Sequence, residues 1–160
     1  MDLTRVIISV DPGKMTGTCV LAIPSDSVTP ELLSSNEYEP HEMAPFLRQE
    51  IPYWLENPMP TRLEIVCERF VINAQTARKT QAPWSLEQIG ILKQTMRDHN
   101  MPEESIIWQA PADAMSMFPN DKLKILGYWH RGGAGHANDA IRHALLRAVK
   151  TGWVPRGLLG

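Results

Sequence analysis

The chain has 160 residues, 43% hydrophobic and 21% charged, with a formal net charge of −2. That is enough to bury a core without disulfide or metal staples, and it excludes disordered, collagen-like and disulfide-framework classes. No apolar run approaches the length of a membrane span, and the opening Met1-Asp2-Leu3-Thr4 has neither the basic region nor the apolar core of a signal peptide.

In chain order, Val6 to Val10 is short, apolar and β-branched, which predicts a buried strand over 4–11 that ends on Asp11. Pro12-Gly13 signals a turn. A second apolar run then makes 16–23 the partner strand of a hairpin. Glu31 to Tyr38 is a third strand, interrupted by Ser34-Ser35-Asn36. His41 to Glu56 has helical spacing (Met43, Phe46, Leu47, Ile51, Trp54, Leu55), with a kink or split expected at Pro52. Leu63 to Cys67 is another buried-strand candidate, and it ends in a carboxylate, Glu68.

A long polar connection, Arg69 to Pro83, follows, of a length that in compact domains is functional or disordered. Ser85-Leu86-Glu87-Gln88 reads as a capping box opening a helix to about His99, with Ile89, Leu92 and Met96 on one face. Ser105 to Gln109 is a further strand, Pro111 to Phe118 a short helix, and Asn120 or Asp121 a cap for a helix through Leu126. Tyr128 to Gly135 is a glycine-rich loop. The last helix, His136 to Lys150, turns Ala140, Ile141, Ala144, Leu145, Ala148 and Val149 inward. Cys19 and Cys67 fall inside strands and lack metal-ligand spacing, as expected for core residues in a reducing, cytoplasmic compartment.

The order of elements predicts one α/β domain over 1–160, built on a mixed sheet with its ligand site at the carboxyl ends of the strands. Asp11 and Glu68 both stand there. His136 and Asp139, three apart at a helix start, project from one side. Taken singly, each has a plain explanation: a turn, a strand-end ion pair with Arg69 or Arg78, a helix cap, a charge at a helix N-terminus. Together they form an oxygen-rich set with one nitrogen donor, suited to Mg²⁺ or Mn²⁺. Two such ions, about 3.5–4 Å apart, bind the attacking water and the leaving oxygen of a phosphodiester.

At this point the chain resembles the RuvC-type Holliday-junction resolvases of the RNase H-like superfamily, in particular their bacteriophage forms. The residues that carry the resemblance are Asp11-Pro12-Gly13 with Gly17, Glu68 in Glu68-Arg69-Phe70-Val71-Ile72-Asn73, and His136-Ala137-Asn138-Asp139-Ala140. It implies an RNase H-like fold with a five-stranded mixed sheet flanked by helices. It also implies a homodimeric, Mg²⁺-dependent endonuclease (Mn²⁺ able to substitute) that places paired nicks in branched DNA and leaves 5′-phosphate and 3′-hydroxyl ends. Asp11, Glu68 and Asp139 would be the metal carboxylates, with His136 near a second ion. Lys122 or Lys124 would match the family's basic residue at the scissile phosphate. The connection after Glu68 is longer than the family's usual form, and only Phe70 represents its aromatic wedge, so forks and flaps join four-way junctions as expected substrates.

The charge distribution fits a polyanion partner or unpatterned solvation equally. Residues 1–61 carry 3 Lys/Arg against 9 Asp/Glu, whereas residues 62–160 carry 13 against 9. The expected nucleic-acid contacts are Lys14, Arg69, Arg78, Lys79, Lys93, Lys122, Lys124 and Arg131, with Phe70 and Trp129 available for stacking and Trp129 at least as readily read as a core aromatic. Three other readings stand beside the resolvase: an RNase H-type hydrolase of RNA/DNA hybrids, a non-catalytic nucleic-acid-binding module of the same fold, and, last, an actin-like phosphate loop.

Overall fold

The computed structural model describes residues 4–25, 29–59, 61–70, 73, 75 and 82–156. Five strands, β1 (Thr4–Asp11), β2 (Thr16–Ile23), β3 (Glu31–Tyr38), β4 (Thr61–Glu68) and β5 (Ile107–Gln109), form one sheet in the order β3-β2-β1-β4-β5. The hairpin and β3 pair antiparallel, while β1/β4 and β4/β5 pair parallel. The helices are α1 (Pro40–Leu55), α2 (Ala82–Asp98), α3 (Pro111–Met117), α4 (Asn120–Leu126) and α5 (His136–Lys150). This is the mixed sheet flanked by helices that the sequence predicts.

Both faces of the sheet are covered, as parallel strands require. On one face Val6, Ile8, Val10, Ile65 and Cys67 pack with Met43, Leu47 and Ile51 of α1 and Leu92 and Met96 of α2. On the other, Ile7, Cys19, Leu21 and Val66 pack with Ala140, Ile141, Ala144 and Leu145 of α5 and with Phe118, Leu123 and Trp153. Small residues along α5 let it lie close to the strands. Among the described residues, no helix is long and apolar enough to cross a membrane.

The structure changes several expected boundaries. α1 runs unbroken through Pro45 and Pro52, so the split at Pro52 does not occur, and Leu55 is 44% exposed instead of joining the apolar face. α2 begins at Ala82, three residues before the expected cap: Pro83 suits an opening turn, and the Ser85 hydroxyl donates to the Pro12 carbonyl (3.0 Å). β5 is shorter than 105–109 because Glu103–Ser105 closes a 3-10 turn, in which Ser105 N–H bonds the Pro102 carbonyl at 3.0 Å. α4 is preceded by Pro119 and has no side-chain cap, the Asn120 side chain being taken by Arg142. Most of the connection after Phe70, including Arg78 and Lys79, lies outside the described residues.

Candidate active site

Strand parity selects the side chains that meet at the carboxyl edge. In β1 Ile7 faces α5, and Asp11, four residues on, keeps that side. In β4 the same alternation turns Glu64, Val66 and Glu68 toward α5, with Ile65 and Cys67 opposite. Val10 is paired with Cys67 and Glu68 with Gln109, so Asp11, Glu68 and Gln109 end three adjacent strands in one row. α5 meets this row with His136, Asp139, His143 and Arg147, spaced three and four apart along one side.

His136 Nδ1 lies 3.1 Å from Asp11 Oδ2, and His143 Nε2 lies 3.0 Å from Glu68 Oε2. Asp139, at the outer edge, pairs with Arg142, a buried guanidinium whose Nε donates to the Phe118 carbonyl (3.0 Å) and whose other arm reaches Asn120. Burial pushes the Asp11 carboxyl up to about 6, opposed by the bond from His136 and reinforced by the charges of Glu68 and Asp139. The bond to Asp11 raises the His136 imidazole above its ordinary value, with burial opposing. Burial also raises Asp139, beyond what the neighbouring Arg142 offsets, and the charge of Glu68 adds to it. Three carboxylates crowded this way repel one another, and a cation among them relieves that cost.

The donor set fits a hard divalent ion. Asp11, His136 and Asp139 each offer a ligand atom, and these atoms all lie within 4.8 Å of one another. Glu68 stands outside this triplet, tied to His143, although its charge acts on both aspartates. Among the described residues a second acid-imidazole group, Glu39, His41 and Glu42, is exposed at the start of α1, where Glu42 and Glu39 form a capping box.

Two backbone devices set the start of α5. Glu37 of β3 accepts hydrogen bonds from the backbone N–H of Ala134 (2.9 Å), His136 (2.8 Å) and Ala137 (3.3 Å), a carboxylate cap supplied from another element. Burial pushes Glu37 up, but those donors outweigh it and hold the carboxyl below its usual range. Gly17, opposite Asp11 across the hairpin, is the second device: a Cβ there would stand 1.8 Å from the His136 carbonyl oxygen. The glycine of the Asp-Pro-Gly segment's far end is therefore what lets β2 and α5 touch.

Among the expected nucleic-acid contacts, Lys14 is exposed on the turn after Asp11, and Arg69 is exposed directly after Glu68, with Phe70 half-buried beside it. Lys93, half-buried on α2, sits 5.8 Å from the Trp108 ring centroid. Lys122 Nζ is 3.4 Å from the Met117 carbonyl and Lys124 lies over Trp129, so neither is bonded to the four site residues. Arg131 is exposed in the loop before α5.

Sequence reasoning missed Glu37, Gln109, Arg142 and His143. For His143 there was a signal: Asp139, His143 and Arg147 recur every four residues on the side of α5 that carries the site. Glu37 had none, since its partners lie about a hundred residues away.

The sheet order, the helices on both faces and the acid-imidazole cluster at the strand ends define an RNase H-like fold with a candidate divalent-cation site. No protein-family model matches the chain, and no curated protein does. Solved structures do match. The Fowlpox virus resolvase, in complex with its substrate Holliday junction DNA, shares the fold with a TM-score of 0.53, covering 90% of this chain and 99% of its own at 13% identity. A second structure, of the Fowlpox virus Holliday junction resolvase, aligns with a TM-score of 0.49, covering 91% of this chain and 99% of its own at 14% identity. At such identity the likeness is one of fold.

Proposed function

We propose that this chain is a divalent-cation-dependent endonuclease that resolves four-way DNA junctions, and accepts other branched DNA, by hydrolysing phosphodiester bonds. One observation carries the reading: Asp11 from a strand end and His136 and Asp139 from a helix start bring three ligand atoms within 4.8 Å of one another, in a fold shared with a junction resolvase. Glu68 would complete the carboxylate set. These residues would hold Mg²⁺, with Mn²⁺ able to replace it and two ions per site, and the metal would supply an activated water and neutralise charge developing on the phosphate.

The chain's own residues divide the remaining work. Asp11 and Asp139 hold ligand oxygens on two rigid elements. His136 is held against Asp11 through Nδ1, and Nε2 is the ring's remaining ligand atom. Lys14 and Arg69, exposed beside the two strand ends, are placed to meet phosphates flanking the scissile one. One copy carries one such site, and paired nicks across a junction need two, so the acting unit is a homodimer.

The test is cleavage of a synthetic four-way junction, a fork, an RNA/DNA hybrid and a linear duplex with Mg²⁺, Mn²⁺ or EDTA. Metal-dependent, symmetric nicks on the junction are expected, with 5′-phosphate ends. Asp11→Asn and Glu68→Gln are expected to abolish cleavage and retain junction binding. Cleavage by either purified variant would sink the proposal, and preference for the hybrid would move the chain to RNase H-type hydrolysis. Tight binding without cleavage would make it a non-catalytic module.

A further inference from the structure

We infer that the cavity walled by Lys124, Gly127, Trp129 and Arg131 is a second nucleic-acid contact, separate from the metal cluster, that holds one backbone phosphate and its nucleoside. The inference rests on the nuclease reading and deepens it by naming where a strand is held outside the reacting centre.

The cavity has a volume of about 330 Å³. Its wall is a braced stretch of chain. The Tyr128 hydroxyl donates to the Pro30 carbonyl (2.6 Å), and Asn138 bonds both backbone groups of His130, accepting from N–H at 2.8 Å and donating to C=O at 3.0 Å. His130 Nδ1 also lies 2.7 Å from Ser35 Oγ. With residues 128 and 130 anchored, the alternate residues Trp129 and Arg131 line the cavity together. Gly127, left-handed at φ 83°, ends α4 and adds no side chain to the cavity, and no atom lies within 4 Å of where its Cβ would be. Across it Lys124 Nζ sits 4.7 Å from the Trp129 ring centroid, held by the ring's negative face.

Neither Lys124 nor Arg131 forms an ion pair with a carboxylate among the described residues. Two cations with no carboxylate partner beside a partly buried indole match a phosphate joined to a base, the base taking the ring face that Lys124 vacates when it turns to the phosphate, and base–aromatic stacking tolerates any sequence. Position points to a strand of the same DNA. Arg131 is five residues before His136, so their Cα atoms are at most about 18 Å apart. At about 3.4 Å of rise per nucleotide on one strand, that is within roughly five nucleotides of the cleaved bond.

The experiment measures binding of a labelled four-way junction and a labelled single strand in EDTA, across a salt series, so that no cleavage intervenes. Wild type is compared with the Lys124→Gln/Arg131→Gln double variant, with Trp129→Phe, and with Arg48→Gln, an exposed cation on α1, as control. The double variant is expected to weaken binding and to flatten the slope of log K against log salt by about one, the share of one phosphate. Trp129→Phe is expected to keep the slope, weaken single-strand binding, and lose part of the tryptophan quenching that accompanies it. Slopes and affinities equal to those of the control would overturn the inference, as would displacement of DNA by polyglutamate at lower concentration than by an unlabelled oligonucleotide. The two readings fail separately. Junction cleavage with unchanged slopes removes the pocket alone, whereas a flattened slope in a protein that cleaves nothing removes the nuclease alone.

Discussion

His143 Nε2 lies 3.0 Å from Glu68 Oε2, and the ring's other nitrogen lies 3.3 Å from Gln109 Oε1, so one fully buried imidazole ties the ends of β4 and β5 to α5. The contact holds Glu68 in a single orientation at the edge of the site. Groups that orient metal ligands typically cost 10–100-fold in affinity or activity when removed. His143→Ala is therefore expected to lower cleavage about 10–100-fold, chiefly by raising the Mg²⁺ concentration needed for half-maximal rate. Junction binding in EDTA should match wild type, in contrast to a general collapse. A Mg²⁺ titration of the cleavage rate, with a thermal melt to verify folding, checks both. An unchanged titration would mean that the imidazole only fills space.

Gly17 and Gly90 make a matched pair. At Gly17 an added methyl would stand 1.8 Å from the His136 carbonyl, so Gly17→Ala must push α5 away from β2 and carry His136 and Asp139 with it. Overpacking of this kind costs about 1–3 kcal/mol, and with His136 and Asp139 displaced little cleavage should remain. Gly90 is exposed inside α2 with no atom within 4 Å of its missing Cβ. Gly90→Ala is expected to stabilise by up to about 1 kcal/mol and leave cleavage unchanged. Denaturant unfolding of the two variants is expected to give opposite signs, and a Gly17→Ala protein as stable as wild type would mean that β2 and α5 do not touch there.

Local pattern explains which features were readable from sequence. The hairpin, β4 and α5 carry strong periodicity, and Asp11 and Glu68 announce themselves by ending apolar runs. Tertiary context supplied the rest. β5 is shorter than the 105–109 run suggests, because the turn from Pro102 claims Ser105's N–H and hydroxyl. Ser85 looked like a cap, yet its hydroxyl is spent on Pro12, tying α2 to the turn beside Asp11. Glu37 and Gln109 meet their partners only after the chain has closed, 97–100 and 34 residues away, so no local signal marks them.

Glu37 gives a test of the helix start. Its carboxylate bonds three backbone N–H groups around the start of α5 that the helix itself leaves unpaired. Glu37→Ala is expected to cost about 0.5–2 kcal/mol, the range of a lost N-cap. Glu37→Gln keeps an acceptor oxygen and should lose a smaller amount, the part due to charge at the helix N-terminus. Thermal unfolding of both ranks them. If both variants matched wild type, the carboxylate would be passive, with water satisfying the same donors.

Glu64 predicts the acid limit of the fold. It is buried beneath α5, bridging Arg5 (2.7 Å) and Arg147 (2.7 Å), one from β1 and one from the helix. Burial pushes its carboxyl up, but the two arginines outweigh that and hold it below its ordinary 4.5. Because the folded value lies below the unfolded one, Glu64 contributes its full stability above about 4.5, and loses that contribution as pH falls through the lowered folded value. Glu64→Gln removes the charge that both arginines face, at a cost of about 3 kcal/mol near neutral pH, the low end for a broken buried pair because each arginine keeps some access to water. The variant should also lose part of the wild type's acid sensitivity, so that the two stability curves converge as pH falls through the lowered folded value. Urea unfolding at a series of pH values reads this directly. Parallel curves would place the acid transition in other carboxylates and reduce Glu64 to packing.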